Sequence, residues 1–176
     1  HVRLWLPHTA AIALHRLSST GMLTARPGTR PRWVHYGSSI SHATDIADPA
    51  GAWPVQVARR LNLALTSLAF AGNAMLDPFV ARVIAETPAD VITLKVGINP
   101  VNGDTFRRRT FIPALHGFLD TVRSGHPDTP LAVITALACP IHEHTPGPVR
   151  AAADGFAAAS DDRVLPGDGR LTLARS

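Results

Sequence analysis

From residue 33 onward the chain alternates short apolar runs with longer segments whose apolar residues recur at helical spacing, and glycine, proline or asparagine marks each junction. Residues 33–36 (WVHY) read as a strand that ends in Gly37-Ser38-Ser39. A helix is expected over 53–61, with Trp53, Val57 and Leu61 at i, i+4 and i+8. Residues 63–70 form a second strand ending at Ala71-Gly72-Asn73, and 75–86 a second helix. Thr87-Pro88 closes that helix, because the residue before a proline is pushed out of the helical region. The third strand, 91–96 (VITLKV), runs into Gly97-Ile98-Asn99-Pro100. The third helix has the sharpest pattern: Phe111, Leu115, Phe118, Leu119 and Val122 form one stripe, with arginines before it and Gly125-His126-Pro127 after it. Residues 131–138 (LAVITALA) make a fourth strand, and 149–159 a weakly amphipathic, alanine-rich helix.

Strands separated by helices require crossover connections, which give a parallel sheet covered on both faces. The expected fold is therefore a doubly wound, three-layer α/β/α sandwich. Upstream, residues 2–6 alternate well enough for a strand, 10–17 show no clear period, and 25–32 (ARPGTRPR) read as a linker. The tail, 161–176, could supply one more short element but has no apolar stripe for a final helix, so the last strand and helix of the domain are expected to be missing.

Composition narrows the picture. The chain has 176 residues, 45% of them hydrophobic and 17% charged, which suits one globular domain and excludes disorder for most of its length. No apolar run approaches the roughly 18 residues of a membrane-spanning helix. The net charge of +4 comes almost wholly from scattered arginines, Lys95 being the sole lysine, and the largest cluster is Arg107-Arg108-Arg109. With 6% aromatic residues there is no basic stripe interleaved with stacking rings, so nucleic acid is not an expected partner. Cys139 is the only cysteine, which rules out an intrachain disulfide and a cysteine metal site, fits a reducing compartment, and leaves localisation open. The chain opens on His1 and a strand-like segment without the pattern of a signal peptide, and its start is expected to be cut.

In open parallel sheets ligands bind at the carboxyl ends of the strands. Gly37-Ser38-Ser39, Gly72-Asn73 and Gly97-Ile98-Asn99 all follow strands and should converge on one rim. Together they suit acyl transfer: an exposed serine hydroxyl as nucleophile, and a glycine N–H with an asparagine amide aimed at the oxyanion of a tetrahedral intermediate. Each residue also has a plainer reading. Ser39 could cap the next helix, Gly72 could serve a turn, and Asn99 could tolerate a left-handed backbone before Pro100. Ser38 is the local rival of Ser39, since a one-residue shift of the turn would exchange them.

These blocks resemble those of the SGNH hydrolases, the GDSL-type lipases and esterases. Tyr36-Gly37-Ser38-Ser39-Ile40-Ser41 matches the first block with Ser39 at the nucleophile position, Gly72 the second, and Gly97-Ile98-Asn99 the third. Ser38 and Pro100 stand where the family usually has aspartates. The resemblance covers roughly residues 32–150 and is closest to a bacterial subgroup with a Pro-rich loop after the fourth strand, like residues 139–148 here. It implies a flavodoxin-like hydrolase domain over 31–176, an acyl-enzyme on Ser39, an oxyanion hole of Gly72 and Asn99, a small-molecule ester as substrate, and no metal or other cofactor. In that subgroup a small β domain precedes the hydrolase domain, so residues 1–30 are expected to be its end or a linker.

The family's last block, an Asp paired with a His near the domain end, has no counterpart, since no histidine follows His144. A base is needed before a serine attacks an ester quickly. His142 and His144 follow the fourth strand on the correct rim, with Glu143 between them, and could line the acyl pocket, bind a metal with Glu143, or replace the base. His35 is expected to be packed or paired within the first strand, His42 to face the site or solvent, His116 to lie at the surface, and His126 to sit at the opposite rim. The rival to an esterase is a non-catalytic or truncated domain of the same fold that acts as a binding or structural module.

Overall fold

The computed structural model describes residues 6–22, 24, 28–103, 105–137 and 171–173. Its sheet is built from β1 (Arg32–Gly37), β2 (Ala64–Ala69), β3 (Val91–Lys95), β4 (Leu131–Ile134) and β5 (Leu171–Leu173), in the order β2-β1-β3-β4-β5. The first four strands are parallel, as a strand–helix alternation requires. The short edge strand β5 runs antiparallel to β4, so the tail does supply one more element, in the opposite direction to the rest of the sheet.

The helices are α1 (Ser39–His42), α2 (Trp53–Arg60), α3 (Pro78–Glu86), α4 (Ile98–Asn102) and α5 (Arg108–Gly125), with a turn of 3-10 helix at Pro49–Gly51. α3 and α5 pack side by side against one face of the sheet. Val34 and Tyr36 of β1, Ile92 and Leu94 of β3, and Leu131 and Val133 of β4 meet Val80, Ile84, Phe118 and Val122 of these helices in the main core. The alternate residues of β1 face the other side, where Trp33 and His35 pack on Trp53 of α2. The stripe expected on α5 is the one buried, with Phe118 at 2% and Val122 at 0% exposure and Phe111, Leu115 and Leu119 packed at its edge.

Several boundaries differ from the sequence reading, each for a local reason. α2 ends at Arg60, which leaves Leu61 as its C-cap and 64% exposed, so the buried face is Pro54 and Ala58 instead of the expected row through Leu61. α3 begins at Pro78, not at 75, because the fixed φ of proline suits the first helical position while Leu76 just before it adopts a left-handed φ of 61°. The fourth strand stops at Ile134, and residues 135–137 continue without regular pairing. The strand expected over 2–6, the helix over 149–159, and Cys139, His142, Glu143 and His144 fall outside the described residues, Leu6 apart. Among the described residues no helix is long and apolar enough to cross a membrane.

Candidate active site

The strand order reverses direction between β1 and β3: the chain leaves β1 to one side for β2, then returns across it to β3 on the other. The crevice at such a switch point lies at the carboxyl ends of the two flanking strands. The turn after β1 carries Ser38 and Ser39, and the turn after β3 carries Gly97 and Asn99.

Ser38 is the N-cap of α1 and Ser39 its first residue. The helix is one turn long, held by Ser41 N–H and His42 N–H to Ser38 O at 3.0 and 2.9 Å and by Ala43 N–H to Ser39 O at 2.7 Å. Ser38 points inward and is fully buried, and its Oγ has no hydrogen-bond partner among the described residues. Ser39 is half-buried and its hydroxyl likewise makes no hydrogen bond to any described residue. The serine beneath the rim is thus enclosed, and the one on it is accessible.

Gly72 sits at the third position of a turn closed by Asn73 N–H to Phe70 O at 3.2 Å, with a φ of +74° that an L side chain rarely adopts. A Cβ there would meet nothing within 4 Å, so conformation and not crowding calls for glycine. The neighbouring Asn73, a weaker candidate from the sequence, spends its Nδ2 on Ala71 O at 3.1 Å within the turn. Asn99 is 3% exposed and lies in α4, not in the left-handed conformation considered for it. Gly97 takes the positive φ instead, at +106°, as the N-cap of α4. Pro100 follows as the third helical residue, where the missing N–H removes no intrahelical bond.

Three hydrogen bonds join the exits of these strands. Phe70 N–H donates to Gly37 O at 2.8 Å, Leu76 N–H to Tyr36 Oη at 3.0 Å, and Ala74 N–H to Asn99 Oδ1 at 2.9 Å. The last fixes the Asn99 amide: its oxygen must face the Ala74 donor, which leaves Nδ2 as a donor with no partner among the described residues. It also brings Asn99 to the turn of Gly72, two residues from Ala74. Burial pushes the Tyr36 hydroxyl up to about 12, so it stays protonated and holds Leu76 across the working pH range.

His126, His116 and His35 lie where they were expected, whereas the His42 ring is turned onto the His8 segment instead of the site or solvent. His126 lies at the opposite rim, where its Nε2 donates to Ile84 O at 2.9 Å. His116 is exposed on α5. His42 donates from Nε2 to His8 O at 2.7 Å while His8 Nε2 donates to Ala43 O at 2.9 Å, and His42 Nδ1 is buried without a partner among the described residues. His35 is fully buried and engaged at both ring nitrogens, with Ser41 Oγ at 2.8 Å from Nε2 and Thr93 Oγ1 at 2.7 Å from Nδ1. The Thr93 contact follows from the sheet register, which pairs His35 with Thr93, and that register is not visible in either strand alone.

Burial pushes His35 down to about 4 from 6.5, and the Lys95 ammonium acts in the same direction. Lys95 is itself lowered by burial, and its Nζ has no partner among the described residues. The neutral His35 ring therefore contributes its full stability above pH about 6.5 and loses it as pH falls through about 4, a difference of about 3 kcal/mol at most. Thermal melting across that window should show a fall in the wild-type chain that His35→Gln flattens. An identical slope in both proteins would contradict this account.

A cavity of about 320 Å³ opens elsewhere, between α2 and β2, floored by Leu63 and Leu65 with Arg30, Arg59 and Ser67 on its walls. It holds neither histidine nor carboxylate and lies away from the Ser39 rim.

Residues 30–143 match the model of the GDSL-like lipase/acylhydrolase family, well over half the chain. The chain belongs to that family, the SGNH hydrolases. Its fold agrees with solved members. A salicylyl-acyltransferase, SsfX3, from a tetracycline biosynthetic pathway is 39% identical, with a TM-score of 0.58 over 66% of this chain and 35% of that one. A GDSL-like lipase, so described without proof of activity, from Bacteroides ovatus ATCC 8483 is 29% identical, with a TM-score of 0.54 over 61% of this chain and 30% of that one. A family two carbohydrate esterase from Clostridium thermocellum, at 18% identity and a TM-score of 0.54 over 69% of this chain and 48% of that one, shares the fold. The chain thus spans about a third of the length of the first two structures. No curated protein matches it.

Proposed function

We propose that this chain carries the nucleophile and oxyanion hole of a serine acylhydrolase that cleaves carboxylic esters. The Ser39 hydroxyl attacks the ester carbonyl, its proton passes to a histidine, and the carbonyl oxygen becomes an oxyanion held by the N–H groups of Ser39 and Gly72 and by Asn99 Nδ2. Collapse of the tetrahedral intermediate expels the alcohol, which takes up the proton, and leaves an acyl-enzyme that water then hydrolyses. His142 and His144, on the segment after β4, are this chain's own candidates for the base. The reaction as written needs no metal or organic cofactor.

The observation that carries this reading is the Asn99 to Ala74 hydrogen bond. It turns a buried amide outward as a neutral donor beside the Gly72 turn, at the exit of the strand next to the one that delivers Ser39. A second reading, transfer of the acyl group to a hydroxyl acceptor, is favoured by the 39% likeness to an acyltransferase. The two share every step up to the acyl-enzyme, and adding an alcohol to an ester assay separates them by the appearance of a new ester.

Treatment of the purified chain with a fluorophosphonate probe, followed by mass spectrometry, tests the shared step. A single adduct on Ser39 is expected. An adduct elsewhere overturns the assignment of nucleophile, and a folded chain that takes no adduct overturns catalysis by this chain alone in favour of the non-catalytic or truncated domain.

A further inference from the structure

The geometry points to His35 as a positioning residue that clamps the turn carrying Ser39 to β3, the strand that delivers Asn99. The inference rests on the reading of Ser39 as nucleophile and Asn99 as oxyanion donor. A helix of one turn cannot hold its own shape in water, because a few hydrogen bonds do not repay the ordering of its backbone. The aim of Ser39 must therefore be set by what grips α1 from outside.

His35 supplies that grip. Its Nε2 meets the Ser41 hydroxyl at 2.8 Å, two residues beyond Ser39 in the same turn. Its Nδ1 meets the Thr93 hydroxyl at 2.7 Å on β3, six residues ahead of Asn99. Trp33 Nε1–H donates to that same hydroxyl at 2.8 Å, which fixes the far end of the bridge, and Trp53 closes over the imidazole edge-on at 4.9 Å between ring centres. The bridge thus crosses the switch point of the sheet, from the exit of β1 to the body of β3.

Gly37 shows how tightly the parts fit. A Cβ there would run into the Ser41 hydroxyl and stand 3.1 Å from His35 Nε2, so no side chain fits between the imidazole and the turn. An apolar residue in place of His35 could pack between the two tryptophans but would leave the buried Ser41 hydroxyl without a partner and Thr93 Oγ1 with Trp33 alone. Each bond adds only about 1 kcal/mol of net stability, so the bridge matters chiefly for where it puts Ser39 relative to Asn99.

Amide hydrogen exchange and ester kinetics on the same full chain test the clamp. In His35→Leu the protection of the Ser41, His42 and Ala43 amides should fall by about tenfold or more while α3 and α5 keep theirs. For an activated aryl ester kcat should fall by about tenfold or more with KM within about twofold of the parent. His35→Gln, whose amide can still engage both hydroxyls, should recover most of both. Should His35→Leu fold poorly, Ser41→Ala cuts the same bridge with little loss of volume and should move both readouts in the same direction. Unchanged exchange, or lost protection with kcat intact, overturns the clamp. Turnover that persists in Ser39→Ala overturns the nucleophile reading alone, since exchange reports on the clamp without any turnover.

Discussion

In the Ser39→Ala protein, ester turnover is expected to fall by about a thousandfold or more, while Ser38→Ala should remain within about tenfold of the parent. Ser39 is half-buried on the rim with a hydroxyl that no described residue engages, which leaves it open to an incoming molecule. Ser38 is fully enclosed with an unpartnered Oγ. Its removal takes away a buried polar atom that gains nothing from a hydrogen bond, so melting of Ser38→Ala should be neutral or slightly raised. Steady-state rates and melting curves on the two variants check both statements. Equal loss of turnover in both would sink the assignment of Ser39.

Gly125→Ala and Gly117→Ala lie in one helix and should act in opposite directions. A Cβ at Gly125 would overlap the carbonyl oxygen of Ala85 and lie 2.8 Å from the Ala85 Cα, both of them backbone atoms of α3 that no rotamer change can move. The end of α5 is also tied down, by His126 Nε2 to Ile84 O at 2.9 Å and by Arg123 Nη1 to Thr129 O at 2.7 Å. Relief by sliding one helix past the other would break the bond from His126 to Ile84. Gly125→Ala should therefore cost about 3 kcal/mol and lower Tm by roughly 6–12 °C. At Gly117 a Cβ would meet nothing within 4 Å, and alanine there should add about 0.5–1 kcal/mol by helix propensity alone. Thermal melting decides, and two shifts of the same sign would refute the packing argument.

The four parallel strands were legible because each is a short, largely apolar run and three of them end in small or polar residues, and α5 because its stripe keeps phase for three turns. Ser39, Gly72 and Asn99 stood out for the same reason: each follows a strand, and parallel strands bring such positions to one rim. Less was visible where contacts are long-range. α4 was hidden in an Asn- and Pro-containing stretch with no helical signature, and it forms around the glycine conformation at Gly97. That His35 would find Thr93 depended on a register between strands nearly 60 residues apart, and the use of Asn99 Oδ1 by Ala74 depended on how two strand exits 25 residues apart come together. Leu61 was assigned to a buried row because periodicity says nothing of where the helix stops.

The hydrogen bonds that join the strand exits also bear on the order in which the molecule can come together. Tyr36 to Leu76 spans 40 residues and Asn99 to Ala74 spans 25, and each has one partner on a strand or helix and the other on a loop that no regular structure supports. Tyr36 can reach Leu76 once β1 and β2 are paired, whereas Asn99 can reach Ala74 only after β3 has joined β1. The rim is accordingly completed by the third strand: with β1 and β2 alone paired, the serine turn and the glycine turn are present but no fixed amide lies beside them. Whatever chemistry needs all three turns together is confined to the sheet with β3 in place.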